Sequence, residues 1–353
     1  MKNYYFSFAF TILCMGLAAY WGLHSEMGLW PALWLVFVLG VLEVSLSFDN
    51  AVVNAAVLKT MDAFWQKMFL TIGILVAVFG MRLVFPIVIV AVMTGMGTME
   101  VIDMALGKPE QYGQVLTDAY PMIAAFGGAF LLMVFLAFAL DEEREIHWLG
   151  GFERRMGQIG KLESSEIVIA LAVVMFTAGS MPAELQYKVL LAGVCGVILF
   201  VIISSLDGLF EQEVEHERES TPAASSGGAA AQVARNGAMG FLYLEVLDAS
   251  FSFDGVIGAF AITRDVVIIM LGLAIGAMFV RSMTVDLVQR GTLDEFVFLE
   301  HGAMYAIGVL ACIMFIGTQV HVPEVLTGFI GVGFIGASLW SSVRHRRKVA
   351  GQG

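Results

Sequence analysis

The sequence repeats one acidic pattern within apolar surroundings, first as Leu42-Glu43-Val44-Ser45-Leu46-Ser47-Phe48-Asp49-Asn50 and again as Leu247-Asp248-Ala249-Ser250-Phe251-Ser252-Phe253-Asp254-Gly255. Five of the nine positions are identical. A carboxylate at the centre of a bilayer costs about 3 kcal/mol to insert, and intramembrane acids therefore usually have a function. Two acids in each copy indicate a role such as ion binding.

The composition indicates a protein embedded in a lipid bilayer. The chain of 353 residues is 59% hydrophobic and 14% charged, and its mean hydropathy is +0.83, whereas soluble domains are about 25% charged. The formal charge of -12 comes largely from acidic stretches between the apolar segments. These stretches indicate solvated loops, and we expect no nucleic-acid partner. The three cysteines are far apart and have no metal-binding spacing.

Ten segments have the length and hydropathy of a membrane-crossing helix, which needs about 20 apolar residues. They are residues 5–23, 31–57, 67–94, 119–140, 162–181, 187–206, 238–262, 266–288, 303–320 and 323–342. The fifth has a short apolar core and the eighth contains Arg281 and Asp286, so either could be a partial or re-entrant element. We predict an all-α, polytopic membrane helical bundle of about ten spans.

The basic residues predict the orientation of the chain. Lys and Arg accumulate in cytoplasmic loops, and this bias predicts that both termini are cytoplasmic. We predict that the protein lies in the inner (cytoplasmic) membrane of the cell. The predicted regions are a first membrane half at 1–206 with a cytoplasmic loop at 141–166, an acidic and flexible cytoplasmic linker at 207–237, a second membrane half at 238–343 and a basic cytoplasmic tail at 344–353.

The two acidic motifs fall on predicted spans two and seven, which are an odd number of spans apart. The chain therefore crosses the membrane in opposite directions at the two copies, and we predict two halves of inverted topology. Inverted repeats are common in secondary transporters, whose substrate site lies at the repeat interface near the middle of the membrane. Channels can share this arrangement, so the repeat does not decide between a channel and a carrier.

Polar residues of both motifs recur at helical spacing, so each motif presents one polar stripe. The first stripe comprises Glu43, Ser47 and Asn50 of the first motif and Asn54 just after it, and the second comprises Asp248 and Ser252 of the second motif and Glu245 just before it. Carboxylate and amide oxygens suit hard cations such as Mg²⁺, Ca²⁺ and Mn²⁺, whereas Zn²⁺ and Cu⁺ usually recruit Cys or His. Neither motif contains Cys or His. We therefore predict a hard divalent cation as the transported substrate, and no resident cofactor.

Asp49 and Asp254 lie about 120° from the polar stripes on an ideal helix. They can join the site if the helix opens near Ser47 or Ser252, or if a second helix approaches from the other side. The alternative is that each forms a structural pair with the intramembrane arginine of its own half, because a buried charge generally needs a partner.

Two arginines, Arg82 and Arg281, occupy predicted membrane spans, and we expect them to be charge partners of the acids. Asn50 and Asn54 could bind the cation or could equally bridge neighbouring helices. The predicted cation ligands are Glu43, Asp49, Asn50, Asn54, Glu245, Asp248 and Asp254.

The two motifs resemble those of the TerC family of integral membrane proteins, named for tellurium resistance. The second motif matches the family's Glu-x-x-Asp-x-x-Phe-x-x-Asp pattern at residues 245–254, and the similarity covers residues 31–320. The family usually continues with Asp-Ser-Ile-Pro-Ala, whereas this chain has Asp254-Gly255-Val256-Ile257-Gly258. The resemblance implies a protein similar to manganese exporters. The cation site that it implies is Glu43, Asp49, Asn50, Glu245, Asp248 and Asp254.

The leading hypothesis is export of Mn²⁺ across the cytoplasmic membrane, with exchange for protons as a possible coupling. A membrane scaffold or assembly factor, whose carboxylates pair helices, is the main alternative. An intramembrane enzyme could also place paired aspartates on facing helices, but the sequence has no Gly-x-Gly-Asp motif and no Tyr-Asp pair. We therefore expect no enzymatic activity, and the sequence leaves the oligomeric state open.

Overall fold

The protein is helical throughout the part of the chain that the structure describes. The computed structural model describes residues 4–25, 27–61, 63–73, 76–141, 146–160, 162, 164–220, 226–291, 296–320 and 322–350. Some side chains within these ranges lie outside the description, among them Asp49, 206–236 and 252–254. The described residues form no β-strand, and the predicted all-α polytopic bundle is confirmed.

Most of the described helices are long. The α-helices are α1 (Tyr5–His24), α2 (Leu29–Leu46), α3 (Phe48–Thr60), α4 (Ala63–Met68), α5 (Phe85–Thr94), α6 (Thr98–Gly107), α7 (Pro109–Ala139), α8 (Gly151–Gly160), α9 (Ser165–Gly179), α10 (Ala183–Ser220), α11 (Ser226–Ile262), α12 (Val266–Gln289), α13 (Leu299–Gly317) and α14 (Glu324–Ala350). Between α4 and α5 the backbone is π-helical in two segments, π1 (Phe69–Gly73) and π2 (Val76–Val84).

Eight helical segments in the described residues are long and apolar enough to cross a bilayer, and the bent pair α8 and α9, which meet at 95°, would make nine. The sequence predicts ten, and all ten predicted segments fall on helices. The difference lies at α9, which has 15 residues, and at α11, where the three acids of 245–254 lower the hydropathy. α12 is unbroken, so the predicted span that contains Arg281 is a full helix.

Contacts between helix ends show which ends share a face of the bundle. Trp21 Nε1 donates a hydrogen bond to Asp265 Oδ2 at 2.8 Å, and the neighbouring Arg264 forms an ion pair with Glu110. These contacts place the end of α1, the end of α11 and the starts of α7 and α12 together. We call this side of the bundle the Arg264 face.

The other ends of these helices lie on the opposite side. α13 ends at Gly317, where an added Cβ would lie 2.7 Å from the hydroxyl of Tyr120 in the first half of α7. α13 therefore begins on the side away from the Arg264 face, and there His301 Nε2 lies 3.0 Å from the carbonyl oxygen of Ile146. We call this side the His301 face, and α12 ends on it.

The helix that carries the first motif is interrupted inside the motif. α2 ends at Leu46, α3 begins at Phe48, and Ser47 between them has φ -101° and ψ 18°. The second motif lies within the continuous backbone of α11. Of the two helix openings considered from the sequence, the one at Ser47 occurs and the one at Ser252 does not.

α2 packs closely against α12 because two glycines remove side chains from the contact. A Cβ added to Gly272 would lie 2.5 Å from Leu39 Cβ, and one added to Gly276 would lie 2.3 Å from Glu43 Cβ. Small residues let helix backbones approach each other in membrane proteins. The close approach holds Glu43, which is 1% exposed, at a helix interface.

The predicted division into regions stays a prediction. Helices α10 and α11 extend into the predicted linker 207–237, but residues 221–225 and the side chains of 206–236 lie outside the described part of the chain. The predicted loop 141–166 contains the short helix α8.

Gly95 ends α5 with a left-handed backbone, at φ 70°. Residues with a Cβ pay about 1–2 kcal/mol for this conformation. Gly95→Ala should therefore lower the free energy of unfolding by about 1 kcal/mol, measured as a lower melting temperature in detergent. Gly107→Ala is the control, because a Cβ there meets nothing within 4 Å. If both variants melted like the wild type, the predicted strain at Gly95 would be wrong.

Candidate ion-binding site

Glu43 and Arg82 form an ion pair buried inside the helical bundle. Arg82 Nη2 contacts Glu43 Oε1, and the two side chains are 4% and 2% exposed for Arg82 and Glu43 respectively. Ser47 Oγ donates to the same glutamate oxygen at 3.3 Å. The sequence predicted that Arg82 pairs with an acid, and Asp49 was one candidate. Among the described residues, the partner of Arg82 is Glu43. The side chain of Asp49 lies outside the described part of the chain.

The pair is positioned by backbone that departs from a regular α-helix. Glu43 lies in the last turn of α2, directly before the interruption at Ser47, and Arg82 lies in π2. π-helical segments are rare and frequently occur at functional sites. The amphipathic spacing of a straight helix, on which the sequence prediction rested, does not describe this region.

Three glycines leave room for the site's carboxylates. A Cβ added to Gly255 would lie 2.7 Å from Glu43 Oε2, and one added to Gly73 would lie 2.9 Å from Glu245 Oε1. Gly276 lies against the aliphatic part of Glu43. A larger residue at any of these positions would have to displace a carboxylate side chain.

Two further carboxylates on α11 lie near the ion pair. Asp248 interacts electrostatically with both Arg82 and Glu43, and Glu245 interacts with Asp248. Both oxygens of Glu245 and Oδ2 of Asp248 are buried and have no hydrogen-bond partner among the described residues. Burying a polar group without a partner is costly. These oxygens are therefore the places where a bound cation would be most stabilised.

Asn54 and Arg281 complete the polar group. Asn54 is 4% exposed, and its Oδ1 has no partner in the described part of the chain. The same holds for Nη1 of Arg281. Asn54 follows the helix interruption on α3, and Arg281 comes from the second half of α12. With Glu43 on α2, the site therefore draws on four helices, α2, α3, α11 and α12, and on π2.

Two cavities border this polar group. The larger, of about 260 Å³, is lined by Glu43, Ser47 and Asn50 and by residues from α7, α11, α13 and α14. The smaller, of about 40 Å³, is lined by both apolar and polar residues. Its polar lining residues are Ser47, Asn54, Arg82, Glu245, Asp248, Arg281 and Thr284.

All the predicted site residues whose side chains are described line one of the two cavities. They are Glu43, Asn50, Asn54, Arg82, Glu245, Asp248 and Arg281. The side chains of Asp49 and Asp254 lie outside the description. Among the described residues, no group of three or more His, Cys, Asp or Glu side chains lies close enough together to hold a metal ion. Glu43 instead forms its ion pair with Arg82, and Glu245 and Asp248 line the same cavity as Arg82.

The glycines that shape the site were not among the residues predicted from the sequence. Gly73 and Gly276 lie far from the motifs in sequence, so only packing reveals them. Gly255 did give a signal, because it is the position at which the chain leaves the TerC pattern. A Cβ at this position would lie 2.7 Å from Glu43 Oε2, so the residue at position 255 limits the space around Glu43.

The fold and the buried polar group define a class, an integral membrane protein with a buried polar group that borders two cavities between its helices. The chain belongs to the family described as a protein of unknown function (DUF475), whose sequence model matches residues 48–349. That match begins within the first motif, after Glu43, and contains the whole second motif. Searches of curated proteins and of solved structures gave no match. The resemblance to the TerC family stays a prediction.

Proposed function

We propose that this membrane protein transports a divalent cation. The observation that carries the proposal is the pair of acids on α11, Glu245 and Asp248, which line an internal cavity. Both oxygens of Glu245 and Oδ2 of Asp248 are buried and have no hydrogen-bond partner among the described residues. Carboxylates in such a place need a counter-charge. An ion that enters the cavity would supply it.

The size of the smaller cavity supports an ion as the cargo. Its volume of about 40 Å³ exceeds the roughly 10–15 Å³ that one water molecule needs, so a small ion has room in it. The larger cavity, of about 260 Å³, would then be an access path to the site and not a site for a large ligand.

The charge and the ligand type support a hard cation. The described site contains three carboxylates, those of Glu43, Glu245 and Asp248, against two guanidinium groups. The remaining polar atoms are the amide and hydroxyl groups of Asn50, Asn54 and the neighbouring residues. Oxygen donors of this kind suit Mg²⁺, Ca²⁺ and Mn²⁺.

We propose Mn²⁺ as the physiological cation, with export from the cytoplasm and exchange for protons. The support is the resemblance of both motifs to the TerC family, which is similar to manganese exporters. The bias of Lys and Arg supports an orientation in which both termini and the His301 face are cytoplasmic. The inner membrane of the cell is the proposed location.

The packing of the two motif helices supports the proposed inverted halves. The helix of the first motif, α2, packs against α12 in the second half, and the helix of the second motif, α11, packs against π2 in the first half. Each motif helix thus packs against a helix of the other half, as expected for a transporter whose site lies between two repeats.

The test is Mn²⁺ flux in proteoliposomes under an imposed pH gradient. The wild type should transport Mn²⁺, and Glu245→Gln should lower the flux at least about tenfold, because losing a group that supports a metal site commonly costs 10–100-fold in affinity. Ca²⁺ and Mg²⁺ added as competitors rank the cations.

Glu153→Gln is the matched control for this experiment. Glu153 is also a buried carboxylate, 6% exposed, but it lies on α8, accepts a hydrogen bond from Tyr305 at 2.9 Å and lines neither cavity. The Glu153→Gln variant should transport Mn²⁺ at the wild-type rate. Absence of flux from well-inserted wild-type protein would contradict the proposal and favour the membrane scaffold.

A further inference from the structure

The Glu43–Arg82 ion pair lies at the boundary between the two cavities. Glu43 lines the larger cavity and Arg82 the smaller, and Ser47, which donates to Glu43, lines both. The path from one cavity to the other therefore passes the point at which the carboxylate and the guanidinium meet.

The two cavities extend toward opposite faces of the bundle. The larger is lined by Tyr120 in the first half of α7 and by Gly317, Thr318 and Gln319 at the end of α13, and these segments lie toward the Arg264 face. The smaller is lined by residues 277–284 in the second half of α12, which ends on the His301 face. A cation that crosses the protein would therefore pass from one cavity to the other.

We propose that the Glu43–Arg82 ion pair is the gate between these cavities, and that Arg82 and the transported cation compete for Glu43. This inference rests on the proposed function. Without a cation, Arg82 neutralises Glu43, and the empty site can change the face to which it opens. With a cation at Glu43 and Asp248, Arg82 is displaced and the cation provides the neutralising charge.

The physical reason is the cost of leaving Glu43 without either partner. A buried carboxylate that loses its counter-ion is strongly unfavourable, so the site is stable either with Arg82 on Glu43 or with a cation there. Both residues also lie next to backbone that can act as a hinge. Ser47 joins the ends of α2 and α3, and hinges are usually a few residues at the ends of elements. Arg82 lies in π2.

The test compares two transport modes of Arg82→Gln in proteoliposomes with Mn²⁺. Exchange of radiolabelled Mn²⁺ for unlabelled Mn²⁺ uses the loaded site alone and should stay within about twofold of the wild type. Net flux into vesicles without Mn²⁺ requires the empty site to return, and it should fall at least about tenfold. Equilibrium binding of Mn²⁺ should become at least about tenfold tighter, because a competitor for Glu43 has been removed.

Two variants serve as controls. Arg281→Gln removes the other guanidinium of the smaller cavity, and it should change exchange and net flux by the same factor. Arg82→Lys keeps the positive charge but loses the planar fork of the guanidinium. It should lower net flux more than exchange, by a smaller factor than Arg82→Gln does.

The outcomes separate this inference from the proposed function. Wild-type protein that is inactive in both modes would overturn both. Wild-type activity combined with normal net flux in Arg82→Gln, or with equal loss of exchange, net flux and binding, would overturn the gate alone. If Arg82→Gln did not elute as folded protein, equal effects on both modes in Arg82→Lys would overturn the gate.

Discussion

Replacing Gly276 with alanine should destabilise the protein and abolish Mn²⁺ transport. The new methyl group would lie 2.3 Å from Glu43 Cβ, 2.4 Å from Glu43 Cγ and 3.0 Å from the carbonyl oxygen of Gly40. Carbon atoms cannot approach so closely, so α2 and α12 would have to separate or Glu43 would have to leave its place. Overpacking of this kind costs about 1–3 kcal/mol. Melting temperature in detergent and Mn²⁺ flux are the two measurements.

Glu43 has little freedom to move away from this methyl group. Arg82 and Ser47 hold its carboxylate on one side. On another side the carboxylate already fills the space beside Gly255, where an added Cβ would lie 2.7 Å from Glu43 Oε2. We therefore expect the flux to fall even if the melting temperature falls only moderately. The loss of flux distinguishes this position from an ordinary packing position.

The matched control for this prediction is Gly333→Ala on α14. A Cβ at Gly333 would meet nothing within 4 Å, so stability and flux should stay at the wild-type level. A Gly276→Ala variant that melts and transports like the wild type would show that the described contact between α2 and α12 is wrong.

The sequence was sufficient to predict the helical architecture because hydropathy reports directly on burial in lipid. All ten predicted segments fall on helices, and the weak fifth segment is the one that belongs to a bent pair. Hydropathy is a poorer guide to the number of spans where a membrane helix carries charged residues. α11 carries Glu245, Asp248 and Asp254, and these acids make a buried helix less apolar than a segment that faces lipid.

The residues selected from the sequence line two neighbouring cavities, but the sequence could not predict how they pair. The helical spacing selected Glu43, Asn54, Glu245 and Asp248, and each lines a cavity. The pairing of Arg82 with Glu43 depends on π2, since a π-helical turn changes the direction in which a side chain points. No periodicity rule for α-helices gives that direction.

The irregular backbone at Ser47 could be anticipated only in part. An opening of the helix near Ser47 or Ser252 was one of two conditions, predicted from the sequence, under which the aspartates could join the site; the other was a second helix approaching from the other side. One opening occurs at Ser47, yet α11 continues through its own motif. The two copies of the motif therefore have different local structures, although five of their nine residues are identical.

Breaking the Glu43–Arg82 pair from one side should destabilise the protein far more than removing both charges. We expect Glu43→Met and Arg82→Met each to lower the free energy of unfolding by about 3–5 kcal/mol, because each leaves an uncompensated buried charge. The double variant should regain most of that stability, since replacing a buried ion pair by apolar residues is often neutral or stabilising. Unfolding in mixed detergent micelles measures all three values.

The same double variant should not transport Mn²⁺, although it is stable. It contains neither the carboxylate that the cation needs nor the guanidinium that replaces the cation, so the site is no longer a gate and no longer binds. The pair of Arg290 and Asp286, in which the arginine is exposed and the aspartate half-buried and whose nitrogen and oxygen are 2.8 Å apart, is the control, with an expected coupling of about 0.3–0.5 kcal/mol. If the double variant were as unstable as the two single variants combined, Glu43 and Arg82 would act independently. The pair would then be neither the structural unit nor the gate that its burial between two cavities indicates.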